Sequence, residues 1–450
     1  MLLPAAVLAQ APASPMAKPG VDVPAMNKSV DPCVDFYQYA CGNWIASHPL
    51  PPDRARFGRF AELQDRNEKA ELDILRAASA PRAGRTDTER KIGDYYASCM
   101  DTSAIDKKGM APVQAELARI YAMSGAADVV AEMAALHRQG IGVVFRFAAS
   151  QDAKDSNRMI AEVEQAGLSL PDRDYYLKDD AKSVEIRQRF LQHVKNMFVL
   201  AGDAPEAAAA KAQMVLDCET AIAKVSMDRV AMRDPDKTYH PMTRRELEAM
   251  APAFPWEAYF SATGAPAFET LNVGQPDFVR QEMVAIPALG MDAGKAYFAF
   301  RLLHDAAPKL AGPFEKETFD FWQRYLAGVQ EPRPREVRCA VATDSALGDL
   351  LGQEYIQTAF GPDAKAQITE LVENLEKTMG QDVQALPWMS DDTKKAALAK
   401  LQAITNNVGY PRKWRDYSAV TVTRDDYFGN TARRRSALRA PHRADRKAGG

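Results

Sequence analysis

Histidine and cysteine, the residues most often used to hold a transition metal, are scarce in this 450-residue chain. The six histidines are His48, His137, His193, His240, His304 and His442, and no two of them lie within forty residues. There is accordingly no His-x-His, no His-Glu-x-x-His and no compact Cys/His cluster, which removes the local spacings that build zinc sites. The five cysteines are too few for a disulfide-dense mini-scaffold, and their odd number leaves at least one unpaired within the chain. No apolar run approaches the roughly 20 residues that cross a bilayer, so membrane association is not expected. The formal net charge is only −3, which gives no reason to expect a nucleic-acid partner. Neither a Gly-rich phosphate loop nor a Gly-x-Ser-x-Gly elbow occurs.

What is present reads as helix. "RFAELQDRNEKAELDILRAAS" is a charged amphipathic segment, and "TERKIGDYYASCM" sets Ile92, Tyr95, Tyr96 and Cys99 on one stripe, which turns Cys99 toward a core. Residues 204–228 are Ala-rich without a breaker after Pro205, and Cys218 within them reads as a buried free thiol. Thr243 with Glu246 forms a capping box. Further helices fit 276–286, 314–329, 335–358, 363–385 and 390–403. The exception is "IGVVFRFAAS", a polar linker and "RMIAEVEQ", which suggest a hairpin; "NNVGYP" is a second extended candidate. The fold class is mainly α with a minor β-hairpin or sheet.

Both ends differ from the middle. "MLLPAAVLAQA" carries an apolar run and a small-x-small site but no basic start, so residues 1–29 read as a leader, either a signal peptide shortened at its beginning or an Ala/Pro-rich arm. Residues 431–450 hold six Arg and one Lys against one Asp, a net +6 that leaves −9 on the rest. This tail is expected to be disordered or the product of a wrong reading frame, with a polyanion-binding arm as the alternative.

"DPCVDFYQYACGNW" places Asp31 as N-cap and Pro32 in the first turn of a helix. Cys33 and Cys41 would then stand roughly 12 Å apart along the axis, beyond the about 7 Å that a disulfide spans. Taken with "PLPPDRARFGRF", "YYASCMD", "ALPWMSDDTKKAALAKL", "VGYPRKWRDYS" and "DDYFGN", in this order, the stretch resembles the N-terminal region of the neprilysin-like zinc metallopeptidases, which include endothelin-converting enzymes and bacterial oligopeptidases. The resemblance covers about residues 30–430, taken as one cap domain.

It implies a bilobal enzyme in which a large helical lobe caps a zinc-bearing lobe and admits only peptides. Zinc belongs to the family through a His-Glu-x-x-His helix, where two imidazoles on one face grip the metal and the Glu takes a proton from its bound water. That motif is absent here, as is the family's Asn-Ala-Tyr-Tyr, so the resemblance implies a truncated form with no catalytic residue and no zinc of its own. Arg56, in "RARFGRF", matches the family Arg that binds the free C-terminal carboxylate of short peptide substrates, a task suited to a planar guanidinium fork. The acidic residue expected five positions later is replaced by Ala61. Cys99 and Cys339 match a family disulfide, whereas Cys33 and Cys41 match cysteines whose partners lie in the absent lobe. Phe36, Tyr37, Tyr39, Trp44, Trp388 and Trp414 are expected to pack structurally. The expected function is therefore the N-terminal part of a peptide-hydrolysing zinc metalloendopeptidase, inactive alone and secreted or periplasmic; the alternative is a non-catalytic peptide-binding cap protein.

Overall fold

The computed structural model describes residues 22–439. Most of residues 1–29, expected as a leader, lie outside the described residues. The rest is mainly helical with one four-stranded sheet. The span expected as a single domain falls into two compact units, each discontinuous in sequence: one runs to Ala77 and resumes over Val329–Arg415, the other covers Ala78–Gly328 and the residues from Asp416.

In the first unit, helix Phe36–Ser47 starts later than expected. Asp35 is its cap, accepting from the Gln38 N–H at 2.9 Å. Asp31 instead organises the turn before it, accepting from the Cys33 N–H at 2.8 Å, so Cys33 is outside the helix. The amphipathic segment forms helix Arg59–Ser79 over the expected residues. Helices Arg335–Thr358, Pro362–Ala385 and Asp391–Gln402 follow, the first of them broken at Leu347. The chain is closed on itself where the Gln330 and Glu331 N–H groups donate to the Pro52 carbonyl at 2.8 and 3.0 Å. "NNVGYP" is not a strand, because no neighbouring strand offers it a ladder; it is a loop whose Tyr410 carbonyl accepts from Lys365 Nζ at 3.1 Å.

The second unit carries the main apolar core and the sheet. The expected hairpin is β1 (Phe145–Gln151) and β2 (Met159–Gln165), paired antiparallel with Phe147 opposite Val163. Two short strands absent from the sequence reading complete the sheet: β3 (Pro241–Thr243) and β4 (Thr270–Val273), in the order β1-β2-β4-β3, with β4 parallel to β2. Phe145 and Phe147 lie two residues apart and so on one face, where they meet Tyr259 at centroid distances of 5.1 and 5.8 Å. The Thr243–Glu246 capping box forms as expected.

One glycine here has no substitute. Gly167 sits at φ +95°, and a Cβ on it would stand 2.6 Å from the Tyr297 hydroxyl and 2.9 Å from the Val144 nitrogen. That hydroxyl donates to the Gly167 carbonyl at 2.8 Å and accepts from the Val144 N–H at 3.1 Å, locking β1 to helix Met291–Ala306.

The compositional break at Thr431 is not a break in structure. Helix Tyr427–Arg439 runs through it. Arg435 clasps Asp305 with both guanidinium nitrogens at 2.8 and 2.9 Å, and the Thr431 and Tyr95 hydroxyls are 3.0 Å apart. The disorder expected from residue 431 therefore does not begin there: Arg433 is held by nearby Asp426, and Arg435 by Asp305, 130 positions away. Residues 440–450 of the tail lie outside the described residues.

Candidate functional site

The loop leading into helix Arg59–Ser79 carries Arg54 and Arg56, Arg59 opens the helix, and the structure separates the roles of the three. Arg54 is hydrogen-bonded to Asp65, lies 3.6 Å from Asp53, and sits over the Phe57 ring. Arg59 pairs with Asp22 at 2.7 Å and Glu62 at 3.1 Å, with its guanidinium over Trp44. Arg56, between them, is exposed and makes no hydrogen bond or ion pair among the described residues.

The aromatic residues flanking this stretch in sequence pack together. Trp44 stacks on His48 and on Phe57, with centroids 4.7 and 5.9 Å apart. Trp44 Nε1 donates to Glu62 at 2.9 Å, and His48 Nε2 lies 3.2 Å from the same oxygen. The Trp44 hydrogen bond is the main reason that the Glu62 carboxyl is held below its ordinary range. Glu62 stands one residue beyond Ala61, the position where the family pattern places an acid, but its oxygens are committed to Trp44, His48 and Arg59. The Arg56 fork is thus left without an internal carboxylate.

Behind this loop, Arg333 reaches back to Glu68 with two nitrogens at 2.8 and 2.6 Å. That bidentate hydrogen bonding holds Glu68 low. One turn further, Glu71 is pushed up to about 7 by burial and by the negative charges of Asp344 and Glu68. A carboxyl titrating near neutrality suits general acid–base chemistry, but among the described residues no Ser–His or Cys–His pair accompanies it. The Glu68–Arg333 pair spans 265 positions, and no local sequence signal could have found it.

The other expected residues are as follows. Cys99 and Cys339 are disulfide-bonded and buried, whereas Cys33, Cys41 and Cys218 are free thiols, with Cys218 buried on its Ala-rich helix and pushed up to about 12 by desolvation. Trp44 packs as expected. Phe36, Tyr37 and Trp388 do not: they are 68%, 65% and 73% exposed, because the turn at 31–34 and the end of helix Pro362–Ala385 put them on the outside.

Among the described residues no three His, Cys, Asp or Glu side chains converge to hold a metal ion. Four of the five described histidines are engaged elsewhere: His48 with the Trp44 carbonyl, His137 with Tyr259 and the Val143 carbonyl, His193 with Glu317, and His240 with the Val273 carbonyl. Held apart in this way, the described residues do not fit a tetrahedral zinc site.

The fold matches the mainly helical part of a solved zinc metalloprotease. The chain aligns with zinc metalloprotease Zmp1 of Mycobacterium tuberculosis, solved with an inhibitor, at a TM-score of 0.86 and 33% identity, covering 93% of this chain and 63% of that one. PepO of Lactobacillus rhamnosis shares the fold at a TM-score of 0.77 and 19% identity, over 90% of this chain and 64% of that one. Residues 32–411 match the N-terminal model of Peptidase family M13, and the chain belongs to that family, the neprilysin-like zinc metallopeptidases. It is 29% identical to endothelin-converting enzyme 1 of Cavia porcellus, over 91% of this chain and 56% of the relative. The chain thus spans little more than half the length of such curated relatives.

Proposed function

We propose that this chain is the helical, substrate-enclosing part of a zinc metalloendopeptidase acting on short peptides, and that Arg56 receives the peptide's free C-terminal carboxylate. The observation that carries the reading is the contrast among the three arginines. Arg54 and Arg59 are neutralised by Asp65, Asp53, Asp22 and Glu62, while Arg56 presents a fork uncommitted among the described residues. A carboxylate there would gain two parallel charge-assisted hydrogen bonds.

The sequence holds no His-Glu-x-x-His, so the 450-residue chain is proposed to hydrolyse no peptide by itself. Helix Pro362–Ala385 supports a role within a larger assembly: it buries no residue, and Leu371, Leu375 and Met379, four apart, form an exposed apolar stripe. In our reading the remainder of an M13 peptidase covers this stripe and supplies the zinc chemistry. The disulfide-bonded state of Cys99 and Cys339 supports a secreted or periplasmic location.

The second reading, a peptide-binding protein without catalysis, rests on the same free Arg56. Calorimetric titration with a tripeptide and its C-terminal amide tests the assignment. The free acid is expected to bind about tenfold more tightly than the amide, and Arg56→Ala is expected to remove that difference. Equal affinities in the parent chain would refute the role of Arg56. Hydrolysis of the tripeptide by the chain supplied with zinc would refute its inactivity.

A further inference from the structure

The second unit contains a polar cavity that the peptidase reading does not use. Its volume is about 570 Å³, and its walls include Ser169, Arg301, His304, Thr318, Trp322 and Gln323. Thr318 closes an α-helical turn, and Trp322 and Gln323 belong to the π-helical run Phe319–Leu326 that continues from it. The wider π turn costs helix stability and recurs at functional sites.

Charge at this cavity is positive. Arg301 is anchored by two of its nitrogens, Nε donating to the Gly142 carbonyl at 3.0 Å and Nη1 to Ser169 Oγ at 2.8 Å. Its Nη2 makes no hydrogen bond among the described residues. Asp305, the one acid on the wall, is already overmatched: Arg435 grips both its oxygens, and Lys309 Nζ lies 3.0 Å from one of them. Behind the wall, Glu219 accepts from Ser169 Oγ at 2.6 Å. Burial holds its carboxyl above the ordinary range, which weakens it as a counter-ion to Arg301.

The remaining wall is flat and partly apolar. The His304 and Trp322 rings lie 5.0 Å apart, and His304 is pushed down to about 3 by burial and by the nearby Arg301 and His193, so the imidazole is neutral. Trp322 Nε1 and His304 Nδ1 are buried without a hydrogen-bond partner among the described residues. Gln323 and Thr318 likewise leave an amide and a hydroxyl unengaged.

We propose that this cavity binds a small monocarboxylate with a flat, partly apolar body. The carboxylate takes the free edge of Arg301, with Gln323 and Thr318 as further donors, and the body lies along His304 and Trp322. A monoanion suits the site better than a phosphate dianion, because only one guanidinium edge is open and Asp305 shares the wall. The volume is within the range of pockets that take small organic ligands. The inference is independent of the role given to Arg56.

The test uses the full chain and three probes in calorimetry: benzoate, its neutral isostere benzamide, and inorganic phosphate. Benzoate is expected to bind, with benzamide and phosphate at least about tenfold weaker. Gln323→Leu, which breaks no other hydrogen bond, is expected to weaken benzoate binding several-fold with an unchanged circular-dichroism spectrum. Arg301→Lys, which keeps the charge but loses the fork, is expected to weaken it about tenfold. The proposal is overturned if benzoate does not bind, if benzamide or phosphate matches it, or if Gln323→Leu leaves its affinity unchanged.

Discussion

Glu282 is the carboxyl whose charge the native structure resists most plainly, and replacing it by glutamine isolates that resistance. The residue is 0% exposed on helix Pro276–Ala288, and neither carboxyl oxygen has a hydrogen-bond partner among the described residues. Desolvation pushes its pKa from 4.5 up to about 8. Native Glu282 therefore holds its proton through the interval from about 4.5 to 8, where an unfolded chain has released it. Because the folded state binds more protons, stability falls as pH rises across this window, fully retained below it and levelling off above. At about 1.36 kcal/mol per pKa unit, the loss between pH 5 and pH 9 approaches ~4 kcal/mol as an upper figure, since local relaxation and water entry relieve part of the burial. Glu282→Gln keeps the shape and removes the titration. Urea unfolding followed by circular dichroism at pH 5, 7 and 9 reads the difference between variant and parent. The variant should gain little at pH 5 and progressively more at pH 7 and 9. A difference that stays constant across the three pH values would refute the reasoning, because only a proton held in the native state produces the slope.

Three further outcomes follow from the same structure. Gly167→Ala should destabilise the chain by about 2–4 kcal/mol in urea unfolding, since the added methyl meets the Tyr297 hydroxyl and Val144 nitrogen at a positive φ; a change below about 0.5 kcal/mol would mean that β1 yields freely. Arg435→Ala should lower the thermal midpoint by several degrees, because Asp305 loses the partner that depresses its pKa to about 2 against the effect of burial; an unchanged midpoint would leave the tail helix without structural weight. A chromogenic thiol reagent at pH 8 should titrate two thiols per native chain, Cys33 and Cys41, and a third only after unfolding, because Cys218 is buried with its pKa near 12; three rapidly reacting thiols would contradict that burial.

The helices were legible because their signals are local. The 59–79 pattern repeats every three to four residues along one face, and the Thr243 cap with Glu246 lies within a single turn. The β1–β2 hairpin shows itself through β-branched and aromatic density around one polar linker. The strands β3 and β4 did not, since three or four residues carry no period and β4 pairs with β2 across more than a hundred positions. At the site, Arg56 was visible only through its motif. That it is the uncommitted arginine among three depends on Asp22, Asp53, Glu62 and Asp65 finding the other two in space.

The sequence by itself determined the helical character, the hairpin, the core-facing placement of Cys99, the family of the chain and the absence of a His-Glu-x-x-His. Those properties rest on neighbours within a few residues, or on motifs read in order. Tertiary structure alone decided which charges are neutralised: Arg333 against Glu68, Arg435 against Asp305, and Arg56 against none of the described residues. It also decided where helix Phe36–Ser47 begins and that the arginine-rich segment continues as helix to Arg439. Pairing energy depends on distance and burial, and a linear sequence states neither.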